Sequence, residues 1–311
     1  MFRDCEKSIQ SSACQMPTQY PATDHIMSGH VACPGCGAVI AMKFALQALG
    51  SKTILVIPAC CWAVVAGVHP QTSLKVPVLH TAFETSGAAA SGVRAALDMK
   101  GDTETTVVAW AGDGGTFDIG FQSLSGACER NENFLYVCYD NEAYMNTGVQ
   151  RSSATPYGAR TTTTPDNAWK THRKKNMVAA LAAHRIPYAA TANIAFPDDL
   201  MQKFRKAKNI QGTRFIHIYA SCPTGWRVPS DQTIAIARLA VQTNLFPLYE
   251  VENGTTYSIN YKGNRPISEY LSVQGRFKHL TQSDMDDIQT MIDADWKYLE
   301  SLERNQRVQS Q

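Results

Sequence analysis

Two sets of residues in this chain have types and spacings suited to chemistry. Cys33-Pro-Gly-Cys36 puts two thiols in one Gly/Pro turn, a spacing that lets both thiolates point at one metal centre. Three chemistries use such a pair. A zinc site would favour a second Cys-x2-Cys, and none follows. A thioredoxin-like redox pair belongs at the start of a helix that follows a strand, whereas the segment before Cys33 reads as loop. An iron–sulfur cluster needs four thiolates, and a pair plus two distant single cysteines can complete that set. Cys60, Cys61 and Cys222 stand just after apolar, strand-like runs and are the singles available. The chain has nine cysteines in all. Cys128 and Cys138 fall within a helical and a strand-like run and read as small apolar packing residues. Cys5 and Cys14 lie in the N-terminal arm and carry no assignment.

The second set is Gly112-Asp113-Gly114, directly after a β-branched run, with Asn141 just after the next strand-like run. Both polar residues would sit at the carboxyl ends of strands, where open α/β sheets place their ligands. An Asp carboxylate and an Asn amide oxygen are hard donors that suit Mg²⁺, an ion usually held by one or two protein groups together with substrate phosphates. The flanking glycines let the backbone come close to a diphosphate. A Gly-Asp-Gly triplet alone recurs in ordinary strand-to-helix turns; its pairing with Asn141 at this spacing is the specific feature.

Positioning these residues requires strands that end at them. Residues 53–57, 76–80, 105–111, 134–139, 188–192 and 214–220 read as strands, and 39–49, 86–99, 119–130, 171–184 and 197–208 as helices. The alternation predicts an α/β fold with a mostly parallel sheet flanked by helices. The helix at 86–99 is rich in Ala and Gly, so neighbouring backbone should approach it closely. The stretch from 142 to 170, with Thr161-Thr-Thr-Thr164, is a long loop of the kind that is functional or lid-like. The tail changes character: 231–243 is helical, 245–262 extended, and 283–304 a charged amphipathic helix. Three regions follow: an arm at 1–24, an α/β domain at 25–230 that carries both chemical sets, and an extended C-terminal tail at 231–311 that packs on the core or on partner chains. There is no internal repeat.

Composition narrows the class of protein. Of 311 residues, 18% are charged, against about 25% in ordinary soluble domains. With 44% hydrophobic residues and a net charge of +2, the chain can build a substantial core, and it lacks a nucleic-acid protein's basic footprint. A charge-poor surface fits equally extensive coverage by other chains or a compact monomer with a Ser/Thr/Asn/Gln-rich surface. The most apolar stretch, 54–68, is short for a membrane span and is interrupted by Pro58, so it reads as a buried strand, a turn and a helix. No secretory signal is visible in the polar residues 1–19, which points to a cytoplasmic protein without a membrane partner.

Gly-Asp-Gly followed by Asn141 resembles the signature of thiamine diphosphate enzymes. Combined with the cysteines, the chain resembles the thiamine-binding β subunit of the 2-oxoacid:ferredoxin oxidoreductases, most closely the pyruvate enzymes. Gly29-His-Val-Ala-Cys-Pro-Gly-Cys-Gly37, Lys75-Val-Pro with His80, Ser91-Gly92, Gly112-Asp-Gly114 and Tyr144-Met-Asn-Thr-Gly-Val-Gln-Arg-Ser-Ser-Ala-Thr-Pro156 carry the resemblance. Cys222-Pro-Thr-Gly-Trp226, Leu245-Phe-Pro-Leu-Tyr249 and Gln274-Gly-Arg-Phe277 continue it. Trp62 and Ala63 depart from the aliphatic residue and Glu that commonly follow the third family cysteine, and Ser221 replaces a frequent Pro.

The resemblance implies a [4Fe–4S] cluster on Cys33, Cys36, Cys222 and one of Cys60 or Cys61. Counting back from Lys75-Val-Pro77 favours Cys61. It implies Mg²⁺ held by Asp113, Asn141 and the Ala143 carbonyl, thiamine diphosphate on Gly112, Asp113 and Gly114, Asn146 near the reacting carbon, and Thr147 close to the cofactor. The implied reaction is oxidative decarboxylation of a 2-oxoacid, pyruvate by default, with single electrons leaving through the cluster to ferredoxin and coenzyme A taking the acyl group. Glu84 is a candidate for the carboxylate that activates thiamine, although the family draws that group from an α subunit. Ferredoxin-type cysteine runs are missing, so further clusters would lie in another subunit or domain. Other 2-oxoacids, including oxalate and branched-chain acids, remain alternatives, as do a non-redox thiamine-dependent decarboxylase or synthase and a non-catalytic metal-binding assembly subunit.

Overall fold

A computed structural model describes residues 24–67, 70–164 and 168–309. Apart from Asp24, the expected N-terminal arm, with Cys5 and Cys14, lies outside the described residues. The β-branched and aromatic runs form β1 (Thr53–Pro58), β2 (Val78–Thr81), β3 (Thr106–Gly112), β4 (Leu135–Asp140), β5 (Tyr188–Asn193) and β6 (Arg214–Tyr219). These six are parallel, in the order β2-β1-β3-β4-β6-β5. β7 (Leu248–Glu252) and β8 (Thr256–Tyr261) continue the same sheet antiparallel beyond β5. The fold is the expected α/β architecture, and the extended stretch of the tail is a hairpin that widens its sheet.

Every residue of β3, β4, β5 and β6 is buried, because helices cover both faces of the parallel region. On one face, Leu46 of α1 (Gly37–Leu49), Phe204 of α6 (Pro197–Lys208) and Ala237 of α8 (Thr233–Gln242) share a core with Ile57, Tyr188 and Ile218. On the other, Ala90 of α3 (Ser86–Met99), Leu124 of α4 (Phe121–Glu129) and Leu181 of α5 (Met177–Ala182) pack with Val107, Tyr136 and Phe215. Burying one such Leu or Phe contributes about 1.5–3 kcal/mol, and truncating Phe204 to Ala would cost about 3–5 kcal/mol through the cavity it leaves.

Local chemistry explains the helix ends. α6 opens with Pro197, Asp198 and Asp199 and closes on Arg205, Lys206 and Lys208, so its charges oppose the helix dipole at both ends. α3 is close-packed for the expected reason: a Cβ on Gly87 would lie 2.9 Å from the Ser123 backbone of α4.

Two helices differ from the sequence-based expectation. The helix expected over 119–130 is preceded by a wide π-helical turn, Gly114–Ile119, before α4 begins at Phe121. The turn is tight at its exit, where a Cβ on Gly120 would meet the Gly115 carbonyl at 2.1 Å. The helix expected over 171–184 is confined to α5. Asn176 caps it by accepting from Ala179 N at 3.0 Å, while Lys174 and Lys175 are drawn inward to Asp140, Glu142 and the Phe117 carbonyl. The loop before it is a packed segment: Ser152, Ala154, Thr155, Ala159 and Lys170 are all buried. No helix among the described residues is long and apolar enough to cross a membrane.

Candidate cofactor site

The chain leaves β1 toward the β2 edge and returns to β3, so the winding changes direction between β1 and β3. Ligands of open α/β sheets gather at such a switch point, beyond the carboxyl ends of the strands. Four neighbouring strands end there in chemically active residues. Cys60 and Cys61 follow β1, Asp113 follows β3, Asn141 follows β4, and Cys222 follows β6.

Asp113 is only 1% exposed. Its Oδ2 accepts from Ser152 Oγ at 2.5 Å. With its amide nitrogen turned toward them, Asn141 donates to the Ala143 carbonyl at 2.9 Å and to Asp113 Oδ1 at 3.0 Å. Asp113, Asn141 and Ala143 are therefore gathered about one point, and a turn of that amide would aim three oxygens at it. Burial, and then the nearby Asp140 charge, push the Asp113 carboxyl well above the usual carboxylate range.

The glycines flanking Asp113 leave room for neighbouring side chains. The Gly112 carbonyl accepts from Thr116 Oγ1 at 2.8 Å. A Cβ on Gly114 would lie 2.4 Å from the Tyr144 ring, whose hydroxyl donates to Asp118 at 2.9 Å. Tyr144 pairs with Gln150 to close a small hairpin, and Asn146 and Thr147 stand exposed at its tip. Thr147 Oγ1 donates to Gln150 Oε1 at 2.7 Å. Glu84 is exposed in the turn before α3, and its backbone carbonyl accepts from Ser123 Oγ at 2.7 Å.

Beneath Asn141 lies a buried ion network that sequence reasoning missed. Asp140 and Glu142, the residues on either side of Asn141, both pair with Lys174, the latter at 2.8 Å. His217 Nε2 is 2.7 Å from Asp140, and Arg276 is 2.6 Å from Glu142. Burial opposes ionisation of Asp140, but Lys174 and His217 outweigh it and hold that carboxyl down at about 2. Burial lowers the His217 pKa, against the opposing pull of Asp140. Glu142 holds a left-handed backbone (φ 66°), which turns its side chain back under the loop. Lys174 and Arg276 stand far from Asn141 in the chain; Gln274-Gly-Arg-Phe277 was the one available signal.

The cysteines meet along the same edge. The Cys33–Cys36 turn is docked on the segment after β6: Gly37 N donates to Ser221 O at 3.1 Å and Thr233 Oγ1 to Gly35 O at 2.5 Å. Gly35 has φ +71°, and a Cβ there would strike Ser230 O at 2.2 Å. Burial pushes the Cys61 thiol up to about 12, and Cys60, Cys222, Cys36 and Asp113 add to the effect. Burial likewise raises Cys222 to about 11, with Cys36 and Cys33 contributing. Cys33, Cys36, Cys61 and Cys222 thus form one electrostatic neighbourhood. Cys60 lies beside Gly112 and the Tyr139 ring, and burial raises its thiol with Tyr139 opposing that rise. Cys61 opens the short helix α2 (Cys61–Val65), and the neighbouring Trp62 is fully buried, its Nε1 donating to Ala38 O at 3.2 Å. All four thiols are free, and no group of three or more His, Cys, Asp or Glu among the described residues is gathered as a ready-made metal site. Cys128 and Cys138 lie in the apolar core, as their sequence context suggested.

Comparison with known proteins adds to this geometry. Residues 59–218 match the family of the thiamine pyrophosphate enzyme C-terminal TPP-binding domain. The chain is 52% identical over 295 residues to ketoisovalerate oxidoreductase subunit VorB of Pyrococcus furiosus, covering 91% of this chain and 94% of that protein. It is 47% identical over 279 residues to pyruvate synthase subunit PorB of Methanothermobacter marburgensis, covering 88% and 96%. Its fold is similar to a solved 2-oxoglutarate:ferredoxin oxidoreductase from Magnetococcus marinus, with 2-oxoglutarate, coenzyme A and succinyl-CoA bound. That match has a TM-score of 0.57 and 21% identity, over 88% of this chain and 97% of the other.

Proposed function

Because the chain belongs to the β subunits of the thiamine diphosphate-dependent 2-oxoacid:ferredoxin oxidoreductases, we propose that it carries two cofactors at one sheet edge. Thiamine diphosphate is anchored through Mg²⁺ on Asp113, Asn141 and the Ala143 carbonyl, with Gly112 and Gly114 admitting the diphosphate. A [4Fe–4S] cluster is held by Cys33, Cys36, Cys61 and Cys222. The complex oxidatively decarboxylates a 2-oxoacid, pyruvate by default, and passes electrons to ferredoxin, with coenzyme A as acyl acceptor.

One observation carries this reading: β1, β3, β4 and β6 end side by side in Cys61, Asp113, Asn141 and Cys222. The donor chemistry fits each group. Asp113 is a buried carboxylate with no ion pair among the described residues, and a divalent cation supplies the missing counter-charge. Cys36 and Cys222 act electrostatically on Cys61, and Cys33 on Cys36 and Cys222; four thiolates are the donor set that a [4Fe–4S] cluster takes. The electrostatic coupling of Cys61 to Cys222 and Cys36 favours Cys61 as the third ligand.

When bound, thiamine diphosphate supplies the electron sink for loss of CO2, and the cluster accepts single electrons. Residues of this chain do the holding. Ser152 and Asn141 fix the Asp113 carboxylate, and the ion network below fixes Asn141. Asn146 and Thr147, at the hairpin tip, meet the substrate side, where Asn146 steers the bound acid by hydrogen bonding. The activating carboxylate comes from an α subunit and the outer clusters from a ferredoxin-like subunit, so this chain is inactive alone. Val31, Val64 and Ile119 are exposed beside Cys33, Cys61 and the Gly114 turn, an apolar rim that suits such a partner.

The ketoisovalerate relative favours a branched-chain acid as the second reading of substrate. An anaerobic dye-reduction assay of the co-purified complex, offered pyruvate, ketoisovalerate and oxalate with and without coenzyme A, decides between them. Thiamine-dependent release of CO2 without dye reduction would instead support a non-redox decarboxylase. A complex that retains no thiamine diphosphate in the presence of Mg²⁺ would leave only an assembly role.

A further inference from the structure

Gln274-Gly-Arg-Phe277 holds no cofactor in the reading above, yet Arg276 is 3% exposed and makes several contacts beyond its Glu142 pair. Its Nη2 donates to Glu142 at 2.6 Å and to the Tyr270 hydroxyl at 2.9 Å, and its Nε to Gln274 Oε1 at 2.9 Å. The guanidinium carbon lies 4.0 Å from the centroid of the Trp226 ring. Trp226 ends the short helix α7 (Pro223–Trp226), which Cys222 caps. The Trp226 indole Nε1 donates to the Asn141 carbonyl at 2.9 Å. Met145, on the hairpin that carries Asn146, packs so closely on Gly225 that a Cβ there would lie 2.2 Å from its sulfur.

One planar cation therefore touches both loops. Its edge binds Glu142, next to Asn141, and its face covers Trp226, on the Cys222 segment. Asp140 and Glu142 pair with Lys174 and Arg276, and His217 also meets Asp140. Removing Arg276 leaves two buried carboxylates on Lys174 alone. The same cation lies against the ring that ends the Cys222 segment, so its charge stands beside the cysteine side as well. Lysine would keep the charge but lose both the fork and the flat face.

We propose that Arg276 is a positioning residue that locks the Asn141–Ala143 loop to the Cys222–Trp226 loop, so that one residue sets the geometry of the thiamine site and the electrostatics of the cluster site. The lock rests on the cofactor assignments above.

The test uses the anaerobically purified complex carrying wild-type chain, Arg276→Gln, Arg276→Lys or Trp226→Phe. Two readouts are taken: thiamine diphosphate affinity at fixed Mg²⁺ by calorimetry, and the cluster's midpoint potential by EPR-monitored titration. Arg276→Gln should weaken thiamine diphosphate by about tenfold or more, as loss of a metal ligand's supporting partner does, and should shift the potential downward with iron per chain unchanged. Arg276→Lys should restore the potential but not the full affinity. Trp226→Phe should weaken affinity and leave the potential in place. Unchanged affinity and potential in Arg276→Gln overturn the lock. So does a loss of both that only tracks loss of iron and folded protein. If Arg276→Gln does not fold, unchanged affinity in Trp226→Phe overturns it and weakened affinity upholds it. A wild-type complex that binds no thiamine diphosphate sinks the functional reading and the lock with it; wild-type binding matched by the variants sinks the lock alone.

Discussion

The oxygen side and the sulfur side of the site are built differently. Around Asp113 and Asn141 the protein has done most of the work: the donors are buried, hydrogen-bonded to Ser152 and Trp226, and backed by Lys174 and Arg276. Around the cysteines it has done less. Cys33 is exposed, Cys36, Cys61 and Cys222 are half-buried, and burial raises the last three thiols, with no basic partner forming an ion pair to them among the described residues. A small hard ion needs a preformed, nearly rigid donor set. A cluster brings its own framework and charge and draws its thiolates into place. The two halves should therefore fail in different ways.

The largest difference should come from the sulfur side. Cys61→Ser or Cys222→Ser should remove essentially all of this chain's iron, counted on anaerobic protein, while Cys60→Ser should keep it. Equal iron loss in Cys60→Ser would break the distinction between the adjacent thiols. On the oxygen side, Asp113→Ala should lower thiamine diphosphate affinity by about 100-fold and leave the iron intact. Cofactor retained by that variant would contradict the assignment of Asp113.

A smaller effect is expected beneath the oxygen site. Lys174→Met strands Asp140 and Glu142 with one cation fewer and should destabilise the fold by about 3 kcal/mol in a denaturant titration. An unchanged midpoint would mean that the network does not brace this edge. The smallest effect is the pH slope of Mg²⁺ binding. The folded, metal-free Asp113 has a raised pKa, so below it the carboxyl carries a proton that Mg²⁺ must displace. Affinity should rise with pH by up to about tenfold per unit until that pKa is passed, and then level off. Calorimetry in two buffers of different ionisation enthalpy would detect the released proton; a flat profile would remove Asp113 as the titrating ligand.

Local pattern made much of the fold legible. The helices at 86–99 and 197–208 were visible end to end, the second because Pro197, Asp198 and Asp199 open it and Arg205, Lys206 and Lys208 close it. The strands that deliver Asp113 and Asn141 were visible as a β-branched run and an aromatic-rich apolar run. The limits of α5 were not, since Lys174 and Lys175 are helix formers pulled out of a helix by carboxylates and a carbonyl elsewhere. The π turn after Asp113 escaped for a similar reason: the close approach of Gly120 to Gly115 has no composition signal. At the site, the motif residues could be named from their spacing and resemblance, but their support could not. Arg276 meets Glu142 only through the folded chain, and nothing near Arg276 in sequence announces an ion pair.

The charge deficit fits the same picture. Val31, Val64 and Ile119 are exposed apolar residues near the proposed site in sequence, and a partner covering the site, as proposed above, would bury them.

The central claim is that thiamine chemistry and the cysteine cluster share one edge and exchange electrons there. It is tested most directly by mixing the anaerobic complex with 2-oxoacid, without ferredoxin or dye, and following cluster absorption and EPR. Bleaching and a reduced-cluster signal that require Mg²⁺ and thiamine diphosphate, and that vanish in Cys61→Ser although thiamine stays bound, are the predicted result. A cluster that stays oxidised while the bound acid is decarboxylated would contradict it.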